Sequence, residues 1–203
     1  MGNTETNKDR IFKTAVSLFS TKGFRGTSIR DIANEMHISL SNIYHYFGNK
    51  EGLLLAILEH SSKRLVDELK AVSEMDLSPV EKLRRLVETH IRLAGSYTDE
   101  TKIFFLDEEH LSEEGEEINR GIQRQIYEFY LKVLKELSDS GLIRTRSIKI
   151  LAFNIFGVIN WQLRWYQSDG PLSLEEVKEE MVAFIVNGVF GEKGGQQYGK
   201  EGS

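Results

Sequence analysis

Two prolines, Pro79 and Pro171, are all that this chain of 203 residues contains, and no valine- or threonine-rich stretch alternates apolar with polar residues as a strand would. The apolar residues instead recur at helical spacing, so the chain is expected to be all-α, with about nine helices. Ile11, Phe12, Ala15, Leu18 and Phe19 fall at i, i+1, i+4, i+7 and i+8, which predicts a helix from Asn7 or Lys8 to a stop at Gly23. Short helices are expected over 28–35 and 39–46, then a long one from a cap at Asn49 to about Ser73 that carries Leu53, Leu54, Ile57, Leu58, Leu65 and Leu69. Ser78-Pro79-Val80-Glu81 combines a serine cap, a proline at the first helical position and a glutamate at the third. Further helices are expected over 99–106, from about Glu116 to a stop at Gly141, over 148–166, and over 173–190 behind the cap sequence Ser173-Leu174-Glu175-Glu176. The segment over 148–166 is apolar on nearly every side, as a helix packed against more than one neighbour would be. The tail 191–203, rich in Gly, Gln and Lys, is expected to be disordered.

Composition narrows the function classes. Hydrophobic residues make up 40% and charged residues 28%, the balance of a globular protein in water. No apolar run reaches the roughly 18 residues of a membrane span, and the polar start from Met1 to Arg10 is unlike a secretory signal. A cytoplasmic protein is therefore expected. The absence of cysteine removes disulfides, thiolate nucleophiles and cysteine-based zinc sites together. The net charge of -5 is unevenly spread: residues 1–50 hold seven Lys/Arg against four Asp/Glu, a net +3, which leaves -8 for the rest. A small basic head can meet phosphates while an acidic body is repelled by them.

The stretch Thr27–Lys50, TSIRDIANEMHISLSNIYHYFGNK, sits in that basic head. Thr27 or Ser28 can cap a helix that turns Ile29, Ile32 and Ala33 inward, and the small Ala33 lets a second helix cross closely. Met36 to Ile38 form a tight turn plugged by Ile38, and Ser39 caps the next helix. That helix buries Ile43 and Phe47 and leaves Leu40, Ser41, Asn42, Tyr44, His45 and Tyr46 facing outward or sideways. A short helix with small polar and aromatic residues outside is shaped to enter a major groove.

With Gly23-Phe24, Thr27-Ser28, Ile32-Ala33, Ser39, Tyr44-His45-Tyr46-Phe47, Lys50 and Leu53-Leu54 in these positions, residues 7–67 resemble the DNA-binding domain of TetR-family transcription regulators. The resemblance implies an N-terminal three-helix helix-turn-helix domain over 7–67, a C-terminal helical ligand-binding and dimerisation domain over 68–190, and no enzymatic activity. It implies that Thr27 and Tyr46 or Tyr44 hold phosphates, with Ser28 beside them and Lys50 adding a charge. Ser39, Leu40, Ser41, Asn42 and His45 would lie nearest the bases; His45 stands where many relatives carry a second tyrosine. It further implies a homodimer formed through the last two long helices, which would present two reading helices to half-sites of a palindromic operator on double-stranded DNA.

For a small hydrophobic effector, the expected lining is Phe104, Phe105, Tyr127, Tyr130, Phe156, Asn160, Trp161, Arg164 and Trp165. Asn160-Trp161, Arg164-Trp165-Tyr166, Gly170-Pro171-Leu172-Ser173 and Glu175-Glu176-Val177 also resemble the C-terminal pattern of TetR-type regulators of fatty-acid and sterol degradation, including the FadR type. This points to an acyl-CoA effector, with Arg120, Arg124 or Arg164 toward the CoA phosphates; a drug-like or aromatic ligand of an efflux regulator is the alternative. Cofactors are expected to be none. Asp107-Glu108-Glu109-His110 with Glu113 and Glu114 reads as a solvated loop and helix start rather than a metal site, and His60 and His90 as ordinary packing or surface histidines. A helical enzyme and a helical interaction module that ignores DNA are the remote alternatives; no GxSxG, HExxH, P-loop or GxGxxG sequence supports the former.

Overall fold

A computed structural model of the chain describes residues 6–96, Asp99, Ile103 and 111–198, side chains excepted at 96 and 192–198. Eight helices and no strand occur among the described residues: α1 Asn7–Gly26, α2 Ile29–Met36, α3 Leu40–Phe47, α4 Lys50–Glu74, α5 Pro79–Ser96, α6 Glu113–Asp139, α7 Ile148–Trp165 and α8 Leu174–Tyr198. The count is eight rather than nine; of the additional helix expected over 99–106, only Asp99 and Ile103 fall within the described residues, both helical. The chain divides into two compact units, residues 1–63 with 97–121, and 64–96 with 122–203. Both α4 and α6 are thus shared between units.

In the first unit, Thr6 caps α1 in a reciprocal capping box with Asp9. Gly23, at φ 75° and ψ 161°, breaks the helix where the sequence predicts a stop, but helical turns resume to Gly26. Ser28 starts α2 with a second capping box: its hydroxyl accepts from the Asp31 N–H while its own N–H donates to Asp31 Oδ2 at 2.7 Å. The Ser28 hydroxyl also donates to Asp31 Oδ2 at 2.7 Å, and this bond first and the backbone's second hold the Asp31 carboxyl below its usual range.

The turn to α3 is a Schellman motif. His37 takes the left-handed conformation at φ 55° and ψ 41°, its N–H donating to Asn34 O, while the Ile38 N–H reaches back to Ala33 O at 3.0 Å. Histidine tolerates this region less well than glycine, and the two carbonyl bonds hold it there. Ile11, Ala15, Phe19, Ile32, Ala33, Ile43, Leu53, Leu54 and Ile57 form this unit's core. Asn49 caps α4 through Oδ1, which accepts the Gly52 N–H at 2.7 Å. The first turn of α4 also carries the start of α6, since Glu51 Oε1 accepts the Ser112 N–H at 2.6 Å.

The second unit packs Leu69, Leu83, Leu86, Val87 and Ile91 against Tyr130, Val133, Leu134 and Leu137 of α6, Ile155 and Ile159 of α7, and Ile185 and Val189 of α8. Each such side chain, fully buried, contributes about 1.5–3 kcal/mol against the entropy of ordering it. Serine caps begin α5 (Ser78), α7 (Ser147) and α8 (Ser173), and the last forms a complete capping box with Glu176. Gly141, at φ 69°, ends α6 in another Schellman pattern, with the Leu142 N–H bonded to Leu137 O. Gly191 is non-helical, at φ 68° and ψ 179°, yet α8 resumes beyond it to Tyr198, because a glycine kink interrupts a helix without forbidding its continuation. No described helix is long and apolar enough to cross a membrane.

Candidate nucleic-acid interface

α3 stands on two anchors, Ile43 and Phe47, one turn apart and both buried. Everything between them points away. Ser39, Ser41, Asn42, Tyr44, His45 and Tyr46 are exposed, Tyr44 by 49%, whereas Leu40 is half-buried at the first turn. The helix therefore offers one continuous polar and aromatic edge along both of its turns.

Ser39 occupies the N-cap position of α3, but its side chain makes no capping bond. Its hydroxyl pairs instead with that of Ser41 at 2.8 Å. Two exposed hydroxyls thus sit at the positive end of a helix dipole, where an anionic phosphate oxygen is favoured. Asn42 carries an amide able to donate to and accept from one adenine edge, and His45 can donate to a guanine acceptor. The His45 ring lies edge-on to Tyr46 at 5.1 Å, which limits the rotation of both.

Basic groups flank this edge. Lys50 Nζ lies 3.9 Å from the centre of the Phe24 ring, a cation–π contact that tethers the ammonium beside the end of α3 while keeping its charge. Lys8 Nζ reaches to 5.9 Å from the Phe47 ring, bringing the start of α1 to the same end.

The expected phosphate role of Thr27 is corrected. Its side chain is 1% exposed, its hydroxyl lies within bonding distance of Leu18 O (3.2 Å) and Gly23 O (3.0 Å), and its N–H is bonded to Phe24 O. Its hydroxyl and N–H both hold the end of α1, so Thr27 acts as a structural pin. Ser28 is exposed, its hydroxyl engaged with Asp31.

The residues expected around an effector divide. Tyr127, Tyr130 and Phe156 come together in the second unit: Phe156 meets Tyr130 edge-on at 4.9 Å and Tyr127 at 6.2 Å. His90 joins them, 6.1 Å from Phe156, with Nδ1 3.2 Å from the Tyr130 hydroxyl, which also lies 3.2 Å from Leu86 O. Burial pushes the His90 imidazole down to about 4 and the Tyr130 phenol well above its ordinary value.

Trp161 and Trp165 do not join this group. Trp161 is 63% exposed, Trp165 is also exposed, and both line an open groove on the outer side of α7 and α8 with Phe153, Gly157, Phe184 and Gly188. The reason is helical phase: buried Ile155, Ile159 and Gln162 define the inward side of α7, which turns positions 157, 161 and 165 outward. Asn160 is half-buried, Arg164 is exposed, and Phe104 and Phe105 lie outside the described residues. Of the expected CoA-facing arginines, Arg120 is exposed and paired with Glu116 and Glu117, and Arg124 is exposed.

Asp107 to His110 lie outside the described residues, and no group of three potential metal ligands occurs among those described. His90, read from the sequence as a packing or surface histidine, is buried, and sequence reasoning passed over one residue, Gln162. The signal for Gln162 was available: a lone amide three residues from Ile159 and seven from Ile155, on the apolar side of its helix.

Residues 11–57 match the family described as bacterial regulatory proteins, tetR family, and residues 76–189 match the tetracyclin repressor-like C-terminal domain. The HTH-type transcriptional repressor KstR2 of Mycolicibacterium smegmatis is 24% identical over 189 residues, 91% of each chain. Among solved structures, the TetR family transcriptional regulator PfmR from Thermus thermophilus superposes with a TM-score of 0.81 at 28% identity, over 88% of this chain and 98% of that one. AibR, solved in complex with isovaleryl coenzyme A and operator DNA, gives 0.78 at 26% identity, over 91% and 98%. With an exposed reading helix in its basic head and both halves matched, the chain belongs to the TetR family of ligand-responsive transcriptional repressors, which are not enzymes and which bind operator DNA as dimers.

Proposed function

We propose that this chain is a cytoplasmic repressor that leaves a palindromic operator when an acyl-CoA thioester binds within its C-terminal half. The observation that carries the operator half of the reading is the exposed edge of α3, from Ser41 to Tyr46, on buried Ile43 and Phe47. Ser39, Ser41, Asn42, Tyr44, His45, Tyr46 and Lys50 make the contacts, phosphates positioning the helix and bases specifying the site. The DNA-binding domain extends over 7–67, and 68–190 form the effector and dimer domain.

The dimer forms through α7 and α8. Their outer groove exposes Phe153, Trp161, Trp165 and Phe184, more apolar surface on one face than a monomer leaves wet. Nothing stands within 4 Å of where a Cβ would be at Gly157 and Gly188, so a second copy's helices can approach closely there.

The effector reading draws on the aromatic interior of the second unit, where Tyr127, Tyr130 and Phe156 suit an acyl chain, and on AibR's isovaleryl coenzyme A. One observation favours a second reading, an uncharged drug-like or aromatic ligand: no described lysine or arginine is buried, so CoA phosphates would have to stay at the surface.

The test uses labelled DNA from immediately upstream of the chain's own gene in a mobility-shift assay. The protein retards this DNA, and isovaleryl-CoA or octanoyl-CoA releases it while free coenzyme A does not. Failure to retard it removes the repressor reading; retardation relieved only by hydrophobic dyes removes the thioester.

A further inference from the structure

Among the described residues, five take a positive φ: Gly23, Gly48, Gly141, Gly191 and His37, the last at φ 55°. At the other four the chain uses the residue that has no Cβ, because a side chain in this region is crowded against the following carbonyl. Backbone strain of this kind persists where a functional site makes use of it. The fold draws nothing from the imidazole. His37 is exposed, and among the described residues its ring has no hydrogen bond, ion pair or ring contact. The bonds that close the turn come from the backbone N–H groups of His37 and Ile38, which a glycine at 37 would leave in place. What histidine adds at this position is therefore used outside the chain.

The position indicates by what. His37 ends α2 and leads into α3. Exposed Arg30 and Asn34, seven and three residues before it, mark a side of α2 turned away from buried Ile29, Ile32 and Ala33, and His37 follows them at the same helical spacing. In a helix-turn-helix the first helix crosses the DNA backbone while the second enters the major groove. That groove is about 12 Å wide, and a helix with its side chains fills about 10–12 Å of it, so residues leading into α3 face the phosphate walls. Ser39, the N-cap of α3, is two residues on, within about 7 Å along the chain.

We propose that His37 is a phosphate contact of the DNA-bound state, a ring N–H donating to a backbone oxygen beside the groove that α3 enters. This rests on α3 as the reading helix and adds a contact that anchors the helix without reading sequence. The test compares wild type, His37→Gly and His37→Ala by Tm without DNA and by affinity for two duplexes of equal length, one from upstream of the chain's own gene and one unrelated. Glycine relieves the strain and alanine keeps it, while both remove the donor. His37→Gly is expected to raise Tm by at least about 2 °C, and His37→Ala to leave it equal or lower. Both variants are expected to weaken binding to both duplexes by one common factor, at least about fivefold, since the phosphates are the same on each. A residue that served only the turn would have affinity follow Tm, whereas here His37→Gly moves them in opposite directions. Unchanged affinity in both variants, a loss confined to the upstream duplex, a loss in His37→Gly alone, or a lower Tm in His37→Gly would overturn the proposal. Wild-type protein that binds neither duplex would remove the operator reading as well; full-strength binding by both variants removes only this contact.

Discussion

Acidification from pH 7.5 to 5 is expected to destabilise this protein through one side chain, His90. Its ring is buried, with Nδ1 3.2 Å from the Tyr130 hydroxyl. When the phenol gives its single proton to Leu86 O, also at 3.2 Å, His90 must hold its proton on Nδ1 to complete the pair, and a second proton can go only to Nε2, inside the apolar seam. Burial therefore holds the imidazole at about 4, against 6.5 for the free group. A depressed histidine makes the native state bind fewer protons than the unfolded one between those values. Its contribution is complete above about pH 6.5 and is lost as pH falls toward 4.

At 1.36 kcal/mol per pKa unit, the loss is about 2 kcal/mol at pH 5 and about 3 kcal/mol at pH 4. Asp9, Asp31, Glu68 and Glu176 have carboxyls held below their usual range by hydrogen bonds, so their contributions fade only below about pH 4.5. Urea unfolding at pH 7.5 and 5 thus isolates the histidine, and with a slope of 1–3 kcal/mol per molar the midpoint should drop by about 1 M. His90→Leu, which leaves Tyr130 bonded to Leu86, should flatten that dependence. A wild-type midpoint equal at the two pH values, or the same drop in the variant, would refute the reasoning.

Other substitutions probe separate parts of the account. Lys50→Ala should weaken binding to every DNA sequence alike and reduce the slope of log affinity against log salt by about one, read from titrations at several salt concentrations. Thr27→Val should leave that slope unchanged and cost about 1–3 kcal/mol in urea unfolding, since the carbonyls of Leu18 and Gly23 lose a donor. Phe184→Glu, at a position 67% exposed in the isolated chain, should halve the mass seen by light scattering and leave the helix content intact.

What the sequence made legible was local. The serine caps at Ser28, Ser78 and Ser173, the spacing of Ile43 and Phe47, and the turn at His37–Ile38 all follow from residues within a few positions of one another, and the structure has them. Thr27 was misread because its partners, among them Leu18 nine residues back, are set by how α1 folds under it. The separation of Trp161 and Trp165 from Tyr127, Tyr130 and Phe156 was hidden for a different reason. α7 is apolar nearly all round, so no polar stripe reports its phase, and whether Trp161 faces the interior depends on which side α5 and α8 cover. For His90 the sequence left packing and surface positions both open, because burial of a polar group is decided by several helices at once.

The account stands or falls on α3, and the most direct measurement is fluorescence anisotropy of labelled DNA from upstream of the chain's own gene, titrated with wild-type protein and with Asn42→Asp/His45→Glu. Both positions are exposed, so Tm and the dimer should persist. Carboxylates set against phosphates and base edges should weaken binding at least a hundredfold. Wild-type affinity in the folded, dimeric double variant would contradict the assignment of α3 as the reading helix.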